Sequence, residues 1–378
     1  MNNRILLFTG IFFAMILFSC SQNGEREKTI DHERVIAAYV FPGQRVMEQD
    51  EIRADLLTHV IFAFANIEDG RLVSGYLTDE ANYAVLRSIR QQYPHLRLLV
   101  AVGGWTWSGN FSDMALTPES RKVFIDSAID YIRDNELDGI DLDWEYPGLP
   151  GYGNTHRPED KENFTALLRE CRLALDSLSE ITGKYYELTI AAGAFEGYLQ
   201  HTEMDKVAGY LDFVNLMTYD FTGEWATTTG HHTNLFPPVL SPAASSGHNS
   251  VQIFMEAGVP AEKLVLGVAF YGRGWRSVLP VNNGLFQPGV GLQGVNLMYH
   301  QIVANYLDNP HFELHWDESA GAPFLWNASD SIFITFDNPQ SARAKADYAI
   351  ENNLRGVMFW QYHADYENEL LKALQGVR

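Results

Sequence analysis

Eight short runs rich in β-branched, aliphatic and aromatic residues recur along the chain, and the segments between them carry helical periodicity. The runs are VIAAYV (35–40), HVIFAFA (59–65), LRLLVAV (96–102), GIDLDW (139–144), ELTIAAG (187–193), DFVNLMT (212–218), LVLGVAF (264–270) and GVMFWQ (356–361). Most are near-continuous apolar stretches, the pattern of parallel strands buried on both faces. Between them, TPESRKVFIDSAIDYIRDN sets Ile125, Ile129 and Ile132 on one face beside Phe124 and Ala128, with Pro118 placed for a first helical turn. A last helix is expected over about 365–376. Eight β-then-α units in 378 residues predict an α/β fold, a (β/α)8 TIM barrel over 33–378. The rival is a doubly wound open sheet, which needs a phosphate-binding glycine turn after its first strand. VFPGQR, which follows the first run, is not such a turn. One interval, 274–335, is too long for a plain connection between the seventh and eighth strands. Its helical (NLMYHQIVANYL) and strand-like (DSIFITF) patches predict a small α+β insertion.

The amino terminus reads as an address. Arg4 precedes the apolar run ILLFTGIFFAMILFS, which falls short of the roughly 20 residues a spanning helix needs. Residues 1–19 are expected to be a secretory signal and 20–32 a short tether. Leu17-Phe18-Ser19-Cys20 resembles the cleavage box of bacterial lipoproteins, in which the cysteine takes a lipid. Export with a lipid anchor at Cys20 is therefore expected, with free secretion as the alternative and no other membrane contact. Cys20 and Cys171 are the only cysteines, which excludes a disulfide scaffold and a cysteine-built zinc site. Cys171 lies in a helical pattern and is given no role. A net charge of -21 argues against nucleic acid as a partner and favours neutral or cationic ligands.

The chemistry concentrates in Asp138-Gly-Ile-Asp141-Leu-Asp143-Trp-Glu145. Side chains alternate faces along a strand, so Asp141, Asp143 and Glu145 point one way and Ile140, Leu142 and Trp144 the other. The apolar set must meet the surrounding helices, which turns three carboxylates into the barrel. Glu145 falls at the strand's carboxyl end, where barrel enzymes do their chemistry. Three adjacent acids in a low-dielectric interior keep at least one proton near neutrality, which is what a general acid requires. Two carboxylates across a scissile bond, or one carboxylate and the substrate's own acetamido group, both serve glycoside hydrolysis. A single strand of acids does not by itself surround a metal ion. Gly289-Val-Gly291-Leu-Gln-Gly294 has dinucleotide spacing but follows no strong strand and is set aside. The adjacent His231 and His232 show no metal spacing and read as polar loop side chains. Asn110, Asn163 and Asn327 begin N-x-S/T triplets, to which no role is given.

DGIDLDWEYPG (138–148) resembles the DxxDxDxE signature of glycoside hydrolase family 18, the chitinases, and sits on the fourth predicted strand as that family requires. AVGGW (101–105) is similar to the family's SxGGW, MTYDFTGEW (217–225) to its MTYD segment, LGVAFYGRGW (266–275) to its FYGR, and GVMFWQ (356–361) to its final tryptophan motif. The resemblance covers about 33–378 and includes the α+β insertion of the deep-cleft subgroup. It implies that Glu145 is the general acid and then base, and that Asp143 stabilises the acetamido group with Asp141 as its inner charge partner. Tyr219 would hydrogen-bond the acetamido oxygen, Asp220 would orient the distorted sugar, Met217 would shape the acetamide pocket, and Trp360 would floor the cleaved sugar. Trp105, Trp225, Tyr39, Phe64, Tyr271 and Arg273 would line the cleft. The implied reaction is retaining, substrate-assisted cleavage of chitin or β-1,4-linked N-acetylglucosamine oligomers, without metal or organic cofactor, by a monomer. Ala101 departs from the family's serine, whose hydroxyl commonly supports the inner aspartate. The alternatives are an endo-β-N-acetylglucosaminidase acting on N-glycans and a surface lectin that binds glycan without cutting it. Signal, tether and barrel leave no stretch for a separate carbohydrate-binding module, which favours soluble oligomers over crystalline chitin.

Overall fold

Side-chain alternation decides how each run is used. In the first strand, Val35, Ala37 and Tyr39 join an interior cluster with Leu99, Ala101, Ala191, Phe213, Val265 and Met358, while Ile36, Ala38 and Val40 pack outward into the main core. A computed structural model describes residues 34–378; the expected signal, Cys20 and the tether lie outside the described residues. All eight runs form strands: Val35–Val40, His59–Glu68, Arg97–Gly103, Gly139–Asp143, Glu187–Gly193, Phe213–Met217, Leu264–Ala269 and Gly356–Trp360. Each pairs in parallel with its neighbours. The ring closes because the first strand also pairs with the eighth, Val35 opposite Gly356. The result is the expected barrel, with two core layers separated by the sheet.

The helices follow their apolar faces. Thr117 caps Pro118–Asp134 by accepting from the Ser120 N–H at 3.1 Å, with Ser120 Oγ accepting in return from the Thr117 N–H at 3.0 Å. Phe124, Ile125, Ala128 and Ile132 are buried, and Ile129 packs at the edge of the core. The last helix is shorter than its periodicity suggests, Glu369–Leu374. The Asp365 carboxylate accepts from the N–H groups of Glu369, Leu370 and Leu371, so the chain turns before it coils.

The expected insertion between the seventh and eighth barrel strands is present. Five antiparallel strands are ordered Val290–Gly291, Gly272–Arg276, Ile332–Phe336, Ala322–Asn327 and Glu313–Asp317, with a short helix at Tyr299–Ile302. They share a separate apolar cluster of Trp275, Val278, Leu285, Phe324, Trp326 and Phe333. A second long connection, 218–246, follows the sixth barrel strand, where sequence reading singled out only 274–335. Its Thr- and Gly-rich stretch has no period to read, because it is held by buried polar groups rather than by an apolar face. Thr229, His231, His232, Thr233 and Asn234 are all buried there. The two histidines are therefore not open loop side chains: His231 Nε2 lies 3.1 Å from Asp317, and His232 Nδ1 lies 3.6 Å from Asp220.

One buried ion pair ties this connection to the barrel. Lys345 Nζ, on the helix Pro339–Glu351, donates to Asp337 Oδ2 and to Thr233 Oγ1, each at 2.6 Å. Asp337 also accepts from the Ala269 N–H at 3.0 Å and from the Ser341 hydroxyl at 2.7 Å. Both charged side chains are 1% exposed, and burial pulls the Lys345 ammonium below its ordinary range despite Asp337. Every polar atom needs its partner in such a cluster. Lys345→Met should lower stability by about 3–5 kcal/mol, because it strands a buried carboxylate; urea unfolding of the two proteins measures the difference.

Candidate active site

The fourth strand is fixed from its outer face. Ile140, Leu142 and Trp144 are buried in the main core. Trp144 stacks on Phe111 with ring centres 5.2 Å apart and meets Phe164 edge-on at 5.7 Å. That packing leaves Asp141, Asp143 and Glu145 facing inward, as alternation requires. The regular strand ends at Asp143, so Glu145 stands just beyond it. There the Ser108 hydroxyl replaces a strand partner: Oγ accepts from the Glu145 N–H at 2.9 Å and lies 2.9 Å from the Gly104 carbonyl oxygen and 3.1 Å from that of Asp143.

Asp138, the first acid of the motif, serves the opposite end of the barrel. It bonds the Leu98 N–H at 2.7 Å, Arg90 at 3.0 Å and Lys184 at 2.6 Å. Arg97 also reaches that end, 3.5 Å from Glu187. Among the described residues no cation pairs with Asp141 or Asp143. The basic groups of the neighbouring strands are spent at the amino-terminal face.

Asp141 is instead held by neutral donors. Tyr39 donates to Oδ2 at 2.8 Å, and Thr189 and Asn215 donate to Oδ1 at 2.5 Å and 3.2 Å. Thr189 is its register neighbour on the fifth strand, and Ala101 its neighbour on the third. The hydroxyl that Ala101 lacks is thus matched by one arriving from the other side. Burial pushes the Asp141 carboxyl up to about 6, with the three donors restraining it. Asp143 is raised further, by burial and then by the charges of Glu145 and Asp141. Its Oδ1 is buried without a hydrogen-bond partner. Burial also lifts Glu145 to about 7, against a hydrogen bond from Tyr146 and with Asp220 adding to the rise.

Above the ladder opens a cleft of about 1180 Å³. Its walls include Asp143, Glu145 and every other residue expected at the site except Asp141, which lies beneath: Tyr39, Phe64, Trp105, Met217, Tyr219, Asp220, Trp225, Tyr271, Arg273 and Trp360. Phe64 stacks against Trp360 at 5.5 Å, and Phe41 and Tyr39 flank the same indole at 5.9 Å and 6.0 Å. Tyr219 meets Tyr271 edge-on at 6.0 Å. Trp105 and Trp225 stand on the rim, 50% and 61% exposed. The peptide bonds Ala63–Phe64, Glu145–Tyr146 and Trp360–Gln361 are cis. Aromatic faces with a few polar groups suit the C–H faces and hydroxyls of a sugar.

Arg273 organises the polar wall. It binds Asp220 through two hydrogen bonds of 2.8 Å and reaches Glu224 at 3.0 Å, while its guanidinium covers Tyr271 at 5.1 Å. Burial alone would raise the Asp220 carboxyl, but the nearby His232 imidazole and the two hydrogen bonds from Arg273 hold it well below the usual range. The two neighbouring carboxyl groups are thus pushed apart, Asp220 toward its ionised form and Glu145 toward its protonated one.

With this geometry, the chain can be compared with known proteins. Residues 35–365 match glycosyl hydrolases family 18. Chitinase A1 of Niallia circulans is 39% identical over 326 residues, 82% of this chain and 47% of that protein. Chitotriosidase-1 of Mus musculus is 35% identical, over 83% of this chain and 68% of its own. Among solved structures, a family 18 N-acetylglucosaminidase from Paenibacillus barengoltzii is 41% identical with a TM-score of 0.84, covering 91% of this chain and 100% of that one. The cell-surface chitinase ChiW from Paenibacillus sp. str. FPU-7 is 40% identical with a TM-score of 0.86, over 91% of this chain and 43% of that one. The chain thus spans about half the length of Chitinase A1 and of ChiW. It belongs to glycoside hydrolase family 18.

Sequence reading missed Ser108, Thr189, Asn215, Phe41 and Glu224. Thr189 and Asn215 were within reach, as the polar residues that alternation turns inward on otherwise apolar strands. Ser108 had no signal, since it acts from a loop on a neighbouring backbone. Removing the Thr189 hydroxyl takes a donor from Asp141 and raises its pKa beyond about 6. Raised carboxyl groups cost stability as pH climbs through their folded pKa. Thr189→Val should therefore destabilise by about 2 kcal/mol at pH 8 and much less at pH 4. Ala101→Ser in the same background should recover part of the loss, as read by denaturant unfolding at both pH values.

Proposed function

We propose that the protein hydrolyses β-1,4-linked N-acetylglucosamine oligomers, the chitin class of substrate, by a retaining and substrate-assisted reaction. The observation that carries this reading is the unpaired carboxylate ladder beneath an aromatic cleft, with Glu145 lifted to about 7. Glu145 donates its proton to the glycosidic oxygen as that bond breaks. The sugar's acetamido oxygen attacks the anomeric carbon from the other face, giving an oxazolinium-like intermediate. Asp143 accepts a hydrogen bond from the acetamido N–H, for which its unpartnered Oδ1 is available, and the negative charge it shares with Asp141 stabilises the cation. Tyr219 bonds the acetamido oxygen, and Met217 closes the pocket around the methyl group. Trp360 floors the sugar, and Asp220 holds its distorted ring. Glu145, now ionised, removes a proton from the water that opens the intermediate, so the anomeric configuration is retained.

The names of the relatives support the substrate class, since Chitinase A1 and ChiW are both chitinases. A second cleavage pattern, release of single N-acetylglucosamine units, is favoured by the likeness to the N-acetylglucosaminidase, which this chain matches over that protein's whole length.

Mass spectrometry of products from a chito-oligomer and from an N-glycosylated peptide separates the readings. Shorter oligomers support the chitinase reading, and single sugars from one end the N-acetylglucosaminidase pattern. Glycan release that leaves one N-acetylglucosamine on the peptide moves the chain to the endoglycosidase branch. Glu145→Gln should lower kcat by at least about a thousandfold while oligomer binding persists; an active Glu145→Gln protein overturns the mechanism. In the wild type, kcat/KM should fall above pH about 7, where Glu145 loses the proton it must donate.

A further inference from the structure

The glycine-spaced segment 289–294, set aside as a dinucleotide motif, places Gly291 at a close contact. Val290–Gly291 forms the edge strand of the insertion's sheet. That edge lies against the connection 218–246, whose Glu224 and Trp225 line the cleft. The approach is backbone to backbone: a Cβ on Gly291 would stand 2.0 Å from the Glu224 carbonyl oxygen and 2.5 Å from its Cα. No side chain larger than hydrogen fits there unless the backbone at Glu224 moves.

Hydrogen bonds extend the contact on both sides. The Gly289 N–H donates to the Thr227 carbonyl at 3.0 Å and the Thr229 N–H to that of Gln287 at 2.9 Å. Trp275 Nε1 donates to the Ala226 carbonyl at 2.9 Å, Thr229 Oγ1 to that of Gly284 at 2.6 Å, and Gln293 Nε2 to that of Glu224 at 3.1 Å. Trp225 needs this support. It is 61% exposed, on a stretch without helix or strand, and its ring lies over the Gly223 backbone with the Arg273 guanidinium 5.3 Å away. A side chain with so little packing of its own takes its position from its backbone, and that backbone is held by the insertion.

We infer that Gly291 and the strap 284–293 are a positioning element that sets where Trp225 stands on the cleft wall, and so how tightly an oligomer binds. The binding half of this inference rests on the hydrolase reading above; the positioning half does not.

Hydrogen exchange read by mass spectrometry, together with kinetics on an N-acetylglucosamine tetramer, tests both halves. Gly291→Val should speed exchange across 223–229 while the barrel strands keep their protection. Gln293→Ala, which removes one exposed hydrogen bond and cannot crowd the contact, should do so to a smaller extent and carries the test if Gly291→Val fails to fold. Val290→Ala, at a side chain facing solvent, should leave exchange unchanged. KM for the tetramer should rise about three- to tenfold in Gly291→Val, with kcat changed by less than about twofold. Unaltered exchange in both Gly291→Val and Gln293→Ala overturns the inference, as does faster exchange with an unaltered KM. A wild-type protein that neither binds nor cleaves the tetramer refutes the hydrolase reading by itself, and exchange at 223–229 still decides whether the strap holds that segment.

Discussion

Three carboxyl groups on and just beyond one strand, turned into the barrel with no counter-ion among the described residues, set the terms for the rest of the molecule. Burying a charge is costly unless it is paired, and a buried acid answers by holding its proton. Asp141 escapes part of that cost through three neutral donors, and Glu145 through Tyr146. Asp143 has neither and is raised by burial and by both neighbours. Retaining a proton near neutrality is thus a consequence of where the strand lies, enforced by Trp144 and its partners on the outer face.

The cations are placed so as not to undo this. Arg90, Arg97 and Lys184 gather around Asp138 and Glu187 at the amino-terminal end of the strands, where they stabilise the barrel. At the carboxyl end, Arg273 is occupied by Asp220 and Glu224. The insertion that supplies Arg273 also buttresses the long connection carrying Asp220 and Trp225, while Lys345 and Asp337 hold that connection from the barrel side. Two of the cleft's walls therefore depend on elements outside the eightfold repeat.

The repeat itself was legible because each strand declares itself by composition and each helix by period. The ladder was legible for the same reason: alternation needs only the identity of Ile140, Leu142 and Trp144 to fix the direction of the acids between them. Aromatic residues at strand ends, such as Tyr219 and Trp360, could be placed by position alone. What escaped were contacts between segments with no period. Ser108 works through the Glu145 N–H, Gly291 through a missing Cβ, and His231 through Asp317, an acid far along the chain. Local sequence carries no trace of which distant backbone will arrive beside it.

The interior layer beneath the cleft is built partly of methyl groups, those of Ala37, Ala63, Ala101 and Ala191. A methyl group has no dipole to turn toward a new charge. The chain's surface, with its net charge of -21, responds to added salt as any acidic surface does. The ladder lies behind that surface and is screened far less. Its proton affinities therefore depend less on added salt than those of the surface carboxylates.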